Sequence, residues 1–358
     1  MIADFADKTL FTSPKPALVC VHLREKQIIM SAIKKRNLRV QQVLVVVSVM
    51  LFMLKITAFY LTNSVAILTD ALESIVNVIA GFIGLYSLYI SAKPRDADHP
   101  YGHGKVEFLS AGIEGTLVIV AGFVILYEAG YHLTSPQEIQ QIDDGILLIL
   151  ITAILNYVVG EYCVRTGKKN NSLALIASGT HLKSDTYTTI GLVIGLVLLY
   201  FTQIKWLDSA VAILFAFVII RTGYHILRQS VSGIMDEADE ALIAQIITEM
   251  QKHRTENLID IHHLRVVNYA GLFHIDCHIT VPWFLNVNQA HAEIDVITST
   301  LTAHFQGNVE FSIHTDGCLS AQCGLCHKQN CVERKSLFVK QMTWTVENVT
   351  QNQKHKLS

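Results

Sequence analysis

The sequence predicts a membrane all-α bundle of six helices followed by a cytoplasmic α/β domain of ferredoxin-like α-β-β-α-β order. Hydrophobic residues make up 51% of the 358 residues, charged residues only 16%, and the mean hydropathy is +0.37. Windows of about 20 apolar residues, enough to cross the hydrocarbon core of a bilayer, recur along the first two thirds of the chain. After residue 235 they give way to shorter helical and alternating patterns, which are typical of a soluble module.

The apolar windows predict six transmembrane spans. They lie at 40–61, 64–90, 107–134, 145–164, 172–200 and 207–228. Charged residues such as Asp4, Asp7 and Arg24 interrupt the first 30 residues, and no cleaved signal peptide is evident there. We therefore expect 1–36 to be a cytoplasmic N-terminal segment and 37–232 to be the transmembrane domain.

Loop charges predict the orientation, because Lys and Arg accumulate in short connections on the cytoplasmic side. The basic residues gather before the first span, around the second-to-third and fourth-to-fifth loops, and after the sixth span: Lys34, Lys35, Arg36, Arg39, Lys93, Arg95, Lys105, Arg165, Lys168, Lys169 and Arg228. The alternate connections contain only Lys205 as a basic residue. Both termini are expected in the cytoplasm, with the protein in the plasma (inner) membrane. A net charge of −2 with dispersed basic residues excludes a nucleic-acid footprint.

Residues 233–317 are predicted to form the cytoplasmic domain. The patterns run in the order helix, strand, strand, helix, strand, near 237–252, 259–268, 272–281, 288–304 and 308–314. That order suits a ferredoxin-like split fold. The remaining residues, 318–358, form a polar tail that contains cysteines, and we expect part of it to be mobile.

Polar side chains interrupt the second and fifth predicted spans. Asp70, Glu73 and Asn77 share one face, because residues three or four apart in a helix are neighbours. His181 and Asp185 lie one turn apart in the fifth span. A carboxylate at mid-bilayer costs about 2.5–3.5 kcal/mol on the insertion scale, so these groups indicate a functional site to which two helices contribute metal ligands. The alternative is that they only form hydrogen bonds between helices.

Four motifs resemble those of the cation diffusion facilitator family, over residues 36–318. They are Thr62-Asn-Ser-Val-Ala-Ile-Leu, Asp98-His99-Pro-Tyr-Gly-His103-Gly-Lys105-Val-Glu107, His181-x3-Asp185 and Ile313-His314-Thr-Asp316. The resemblance implies a homodimer with six helices per protomer, a cytoplasmic metal-binding domain, and export of divalent transition metal in exchange for protons.

The resemblance also implies where the metals bind. It places a tetrahedral transport site at Glu73, Asn77, His181 and Asp185, to which we add Asp70 as an accessory residue of the pathway. A loop site is expected at Asp96, His99 and His103, whose spacing can bring a carboxylate and two imidazoles to one ion. A cytoplasmic two-metal site near the dimer interface is expected at His262, His278, His291, His314 and Asp316. Surface histidines near the headgroups are the alternative for the loop, and His263 and His274 are expected to be surface residues.

The ligand chemistry leaves the transported metal open. Zinc-dedicated members usually have Asp or His where this chain has Glu73 and Asn77. Three oxygen donors and one imidazole nitrogen make a harder site, which favours iron, manganese or cobalt, although zinc also accepts carboxylate and is the favoured ion. Protons are the expected counter-ion, because His and carboxylates bind metal only when deprotonated. Lys183 is expected to face Asp70 or Glu114, as a gate or as a structural ion pair.

The tail carries Cys318, Cys323, Cys326 and Cys331 in the pattern C-x4-C-x2-C-x4-C. Thiols on the cytoplasmic side should be reduced, so metal binding is favoured over disulfides, with a redox or incidental role as the alternative.

The alternatives to a transporter are a membrane metalloenzyme and a metal sensor. A membrane metalloenzyme would need a context such as H-E-x-x-H, G-x-S-x-G or a P-loop, and the sequence contains none of them. A membrane-anchored metal sensor without transport is the second alternative. The intramembrane ligands argue against it, because a sensor has no need of ligands that are costly to insert.

Overall fold

The computed structural model describes residues 16–62, 65–134, 143–202 and 206–356. Six long helices come first in this part of the chain: α1 Pro16–Thr62, α2 Val65–Ser91, α3 Val106–Thr134, α4 Asp143–Asn170, α5 Leu173–Thr202 and α6 Trp206–Ile234. A smaller unit follows: α7 Glu240–Lys252, β1 Asp260–Tyr269, β2 Leu272–Val281, α8 Val287–His304 and β3 Val309–Gly317. The predicted order of helix, strand, strand, helix, strand is therefore present.

Two segments of the described residues are long and apolar enough to cross a membrane, judged by length and composition. They are Lys35–Thr57 in α1 and Val106–Tyr131 in α3, and Asn77–Ser91 in α2 is a shorter apolar stretch. Helix α1 begins at Pro16, well before the predicted span at 40–61. Proline fits the first turn of a helix, and no Pro or Gly follows until the helix ends, so the backbone continues without a break into the apolar part.

Glycines allow two helix pairs to cross with their backbones nearly in contact. A Cβ atom at Gly160 on α4 would lie 2.8 Å from the carbonyl oxygen of Gly179 on α5, and one at Gly179 would lie 2.6 Å from that of Gly160. Helices α3 and α6 cross in the same way at Gly115 and Gly223, with distances of 2.9 and 2.8 Å. Small residues at crossings are the usual way to bring helices together where lipid gives no hydrophobic drive. Gly179 precedes His181 by two residues, so this crossing positions a predicted site residue.

The C-terminal domain is a three-stranded sheet with two helices packed on it. Strand β1 pairs antiparallel with β2, and β2 pairs parallel with β3, which gives the order β1-β2-β3 with α8 as the crossover. The core consists of apolar side chains from both layers, among them Ile243, Ile246, Met250, Ile261, Ile275, Ile279, Ile297 and Leu301. A capping box formed by Asn286 and Gln289 starts α8 and fixes where the crossover begins.

The tail after β3 contacts this domain at separate points. Trp344 and Val349 are buried in the core of the domain, and the short helix α9, Val346–Val349, contacts β1. The guanidinium of Arg254 lies 4.0 Å from the ring centroid of Trp344. That part of the tail is mobile stays a prediction, and these two side chains are anchors that the sequence pattern did not reveal.

Replacing Gly179 with Ala should push α4 and α5 apart, because the new Cβ atom would meet backbone atoms of Gly160 and Val164 at 2.6 and 2.8 Å. Overpacking of this kind costs about 1–3 kcal/mol. We expect a lower thermal unfolding midpoint for the detergent-solubilised protein. Gly130→Ala is the matched control, because a Cβ atom there meets nothing within 4 Å. Equal midpoints for the two variants would contradict the close crossing.

Candidate metal centre

The first candidate centre joins α2 and α5 inside the helical bundle. Asn77 contacts both partners on α5: its Nδ2 donates to Asp185 Oδ2, and its Oδ1 lies against His181 Nε2. His181 Nε2 lies 3.8 Å from Asp185 Oδ2. Asn77, His181 and Asp185 are 8%, 4% and 6% exposed, so their polar groups are directed at one another inside the bundle.

The other two predicted members of this centre are Glu73 and Asp70. Both belong to α2, but their side chains lie outside the described residues. Glu73 precedes Asn77 by one turn, so the backbone places it on the same helical face. The roles of Glu73 as a ligand and of Asp70 as an accessory residue stay predictions.

A buried carboxylate near this centre was not predicted as part of it. Glu114 on α3 accepts a hydrogen bond from Ser178 Oγ at 3.0 Å, and Ser178 lies one turn before His181. Glu114 is close enough to His181 and Asp185 to interact electrostatically with both. The sequence contains a signal for it. An acidic side chain in the third apolar window is as costly to insert into a membrane as those that drew attention to the second and fifth windows.

Lys183 contacts α4, whereas the sequence pattern predicted Asp70 or Glu114 as its partner. Its Nζ donates to Glu161 Oε2 at 2.7 Å and lies 5.4 Å from the ring centroid of Tyr157. Lys183 is two residues from His181, about 200° around the helix, so it faces a different neighbour of α5. This geometry fits the interpretation as a structural ion pair.

The loop between α2 and α3 holds the second candidate centre. Asp96 Oδ1 lies 3.0 Å from His99 Nδ1, and Asp96 Oδ2 lies 3.3 Å from His103 Nε2. One ligand atom from each residue lies within 4.8 Å of the others. The backbone N–H of His99 also donates to Asp96, and this hydrogen bond lowers the pKa of the carboxyl group. One carboxylate and two imidazoles can hold a zinc-like ion with a fourth position open.

The same loop packs on the C-terminal domain. Arg95 Nη2 lies 2.6 Å from Glu310 Oε1, and the ring of Tyr101 stacks on Tyr269 at a centroid distance of 5.8 Å. His274 contacts Tyr101 edge-on at 5.3 Å, and its Nδ1 lies 3.3 Å from Glu310. The prediction of His274 as a surface residue is therefore corrected: it lies in this contact, where burial lowers its pKa.

The third candidate centre crosses all three strands of the sheet. His262 lies opposite His278, and His278 lies opposite His314, so the three imidazoles form a row on one face. Asp316, two residues after His314, shares that face. Its Oδ2 lies 3.4 Å from His262 Nε2 and 3.3 Å from His278 Nδ1, and its Oδ1 lies 3.7 Å from His314 Nε2. Burial lowers the pKa of His262, which favours the neutral imidazole that binds metal.

His291 is the predicted member that does not join this row within one chain. Helix α8 buries Ile294, Ile297 and Leu301 against the sheet. The side chain of His291, on the same helix, is nevertheless 72% exposed, and its Nε2 lies 3.7 Å from Asp295 Oδ1.

His263 lies beside the row, although a surface position was predicted for it. The pairing of β1 with β2 shifts between His262 and Arg265, and His263 has a φ of 55°. This bulge brings two consecutive histidines near His278, with ring centroids 5.1 Å away for His262 and 5.0 Å for His263. Strict strand alternation puts neighbours on opposite faces, so the pattern could not reveal this arrangement.

The predicted tail site is more open than the histidine clusters. Cys318, Cys323, Cys326 and Cys331 all have free thiols, with Cys326 buried and the others half-buried. Among the described residues, three ligand atoms lie within 4.8 Å of one another in the loop cluster and in the sheet cluster. In the described part of the tail, no three sulfur atoms come that close together.

Comparisons with known proteins match both halves of this architecture. Residues 42–235 match the cation efflux transmembrane domain, and residues 238–318 match the cytoplasmic domain of cation efflux proteins. An uncharacterized transporter of Synechocystis is 33% identical over 255 residues, which cover 71% of this chain and 82% of the relative. The chain belongs to the cation efflux family. The resemblance to the cation diffusion facilitators is thereby confirmed.

Other members of the cation efflux family are similar to this protein over comparable lengths. The manganese efflux system protein MneS of Bacillus subtilis is 30% identical over 243 residues, 66% of this chain and 81% of the relative. The cadmium, cobalt and zinc/H(+)-K(+) antiporter of Bacillus velezensis is 27% identical over 236 residues, 65% of this chain and 74% of the relative. The family is one of transporters and not of enzymes.

In this cation efflux protein the tail reaches the sheet cluster through Asp260, a residue that sequence reasoning missed. Asp260 is buried, and its Oδ2 lies 3.9 Å from His262 Nδ1. Gln322 Nε2 donates to the same oxygen at 3.3 Å, and the backbone N–H of His355 donates to it at 2.9 Å. A carboxylate behind a histidine can orient the imidazole, and here the tail supplies the partners that hold that carboxylate.

The His355 contact should make docking of the tail depend on pH. Its Nδ1 lies 2.6 Å from Asp260 Oδ1 and its Nε2 lies 3.0 Å from the carbonyl oxygen of Asn348, so the doubly protonated ring fits both acceptors. The hydrogen bond to Asp260 raises the pKa of His355. A raised folded-state pKa contributes stability that is complete below the unfolded value of about 6.5 and is lost as the pH rises through the folded value.

Hydrogen-exchange protection factors of the tail should therefore fall as the pH rises above about 6.5, the ordinary pKa of histidine. His355→Gln should show lower protection at acid pH and little change with pH. A wild-type pH profile as flat as that of the variant would contradict the docking role of this histidine.

Proposed function

We propose that this protein exports a divalent transition-metal cation from the cytoplasm in exchange for protons, by alternating access. The convergence of Asn77, His181 and Asp185 inside the bundle carries the proposal. Glu73 completes a tetrahedral set from the same face of α2, and Asp70 serves as an accessory residue of the pathway. Each of these groups is costly in an apolar bundle, so their clustering supports a functional site.

Proton exchange follows from the chemistry of the same groups. Asn77 Oδ1 lies against His181 Nε2 and its Nδ2 donates to Asp185 Oδ2, so the atoms that would bind an ion are atoms that can also bind protons. A dication and protons then compete for the same nitrogen and carboxylate oxygen.

The proposed topology has six spans and both termini in the cytoplasm. Six long helices are present in the described part of the chain. The basic loop between α2 and α3 lies on the side of the C-terminal domain. Its Arg95 contacts Glu310 on β3, and Lys105 contacts Asp236, which lies between α6 and α7. We propose the division into 1–36, 37–232, 233–317 and 318–358, with the protein in the plasma (inner) membrane.

The C-terminal domain is proposed to bind metal and to join two protomers. The domain family that matches residues 238–318 is named after a dimer, which supports a homodimer. His262, His278 and Asp316, with His314 beside them, supply one ligand set. The exposed His291 is available to a dimer interface. Asp96, His99 and His103 supply the proposed loop site.

The transported ion is proposed to be zinc, with manganese, iron and cobalt as competitors. The imidazole of His181 suits zinc, whereas Asn77 and the carboxylates make the site harder and suit manganese. One relative is named for manganese efflux and another for cadmium, cobalt and zinc antiport, so the relatives do not favour one ion over the other.

Transport by purified protein in proteoliposomes tests the proposal. Asp185→Asn removes an anionic ligand from the centre, and flux of zinc and manganese should fall to the level of protein-free vesicles. Glu161→Gln is the control, because Glu161 pairs with Lys183 and Arg165 and does not contact the centre. It should keep its flux and its pH dependence.

Three results would refute parts of this scheme. Undiminished flux in Asp185→Asn would refute the site, and flux that ignores dissipation of the proton gradient would refute exchange. Metal binding by wild-type protein without flux would favour the sensor.

Lys354 should weaken metal binding at the sheet cluster. Its Nζ lies 3.3 Å from Asp316 Oδ1 and donates to the carbonyl oxygen of Gly317 at 2.9 Å, so a cation already occupies the shared carboxylate. Ion pairs near the protein surface contribute about 0.2–1 kcal/mol, so Lys354→Gln should raise affinity roughly 1.4- to 5-fold. Zinc titration calorimetry in an Asp185→Asn background measures this. Lys356→Gln, the same charge change at an exposed position, should have no effect.

A further inference from the structure

A cysteine-rich turn begins the tail and has no part in the proposed transport. Cys318 directly follows β3, and its backbone N–H donates to the carbonyl oxygen of Val281 on β2 at 2.8 Å. The turn therefore starts from a fixed point on the sheet, beside the strand that carries Asp316. Cys323, Cys326 and Cys331 follow within the next 13 residues.

Short backbone turns fold these cysteines back toward one another. The 3-10 turn Ser320–Gln322 leads into Cys323, and the N–H of Cys326 donates to the carbonyl oxygen of Gln322 at 3.1 Å. The pair Cys323 and Cys326 thus spans one tight turn, which is the C-x2-C spacing that supplies two thiolates to structural zinc. Cys323, Cys326 and Cys331 are all close enough to Cys318 to interact electrostatically with it.

Donors and positive charge surround the turn. The guanidinium of Arg334 donates to the carbonyl oxygens of Cys323 at 3.0 Å, Cys326 at 3.0 Å and Lys328 at 2.6 Å. The backbone N–H of Lys335 is directed at Cys323 Sγ at 3.4 Å. Cations and amide donors stabilise anionic sulfur, which is the form that binds a metal ion.

The turn buries little apolar surface of its own. Leu325 and Cys326 are buried, whereas Val332, Leu337 and Val339 are exposed. A segment with so small a core commonly depends on disulfides or a metal for its stability. All four of its cysteines are free thiols in this structure.

We propose that Cys318, Cys323, Cys326 and Cys331 bind one soft dication of the zinc class in tetrahedral geometry, as a structural clamp for the tail. Binding replaces four S–H bonds with four metal–sulfur bonds and releases the protons to solvent, so no oxidant is needed. The ion draws the sulfur atoms in to metal–sulfur distances of about 2.3 Å. The clamp would stabilise the first part of the tail, whose later part contacts Asp316 through Lys354 and Asp260 through His355.

Cobalt is the probe for this site, because thiolate ligands give it a charge-transfer absorption that imidazole and carboxylate ligands do not. Full-length protein in detergent, stripped with chelator, is titrated with cobalt. Wild type and Cys163→Ala/Cys277→Ala should show the band, since those two cysteines are buried elsewhere. Cys323→Ser/Cys326→Ser should lose the band and one equivalent of bound cobalt. Asp185→Asn should keep the band, which separates this site from the transported ion.

A second measurement uses the unsubstituted protein and so does not depend on the folding of a variant. Zinc should protect the four tail thiols from alkylation, as counted by mass spectrometry, and should raise hydrogen-exchange protection over residues 318–356. Absence of the band in wild type, two disulfides in place of four thiols, or alkylation that zinc does not slow would overturn the proposal. None of these outcomes involves flux, so the transport proposal would be unaffected.

Discussion

Mutual hydrogen bonding among polar side chains buried between α2 and α5 is the interaction on which the architecture depends. A polar or ionisable group in an apolar bundle destabilises it by several kcal/mol unless a partner is present. Asn77 is suited to this position because its amide both donates and accepts, which pairs it with Asp185 and His181 at once. In the proposed transport these groups give up their hydrogen bonds to bind the ion, and they pair with one another again when it leaves.

The two histidine clusters outside the bundle repeat one chemical arrangement. In each cluster, one carboxylate lies near two imidazoles. Asp96 faces His99 with one oxygen and His103 with the other. Asp316 faces His262 and His278 with the same oxygen. A carboxylate between imidazoles offsets their positive charge when they are protonated and serves as a ligand when they are neutral. The loop that holds one cluster contacts the sheet that holds the other: Arg95 pairs with Glu310, and Tyr101 stacks on Tyr269.

Periodicity predicted those parts of the fold whose contacts repeat along the sequence. The order of α7, β1, β2, α8 and β3 followed from helical and strand patterns, and strand register explains why His262, His278 and His314 lie in a row. Single long-range contacts have no such signature. The bulge at His263, the Glu161 partner of Lys183 and the docking of His355 on Asp260 could not be inferred without the structure. The start of α1 was missed because the residues after Pro16 are helix-compatible but not apolar enough to resemble a span.

The glycine crossings hold two pairs of helices at close backbone distance. Where Gly160 meets Gly179, no side chain separates the two backbones, so neither helix has room to rotate or slide independently of the other. The same holds for α3 and α6 at Gly115 and Gly223. In the alternating access proposed above, movement would therefore take place between these pairs, and α2 and α5 are joined by polar contacts that a bound cation would replace.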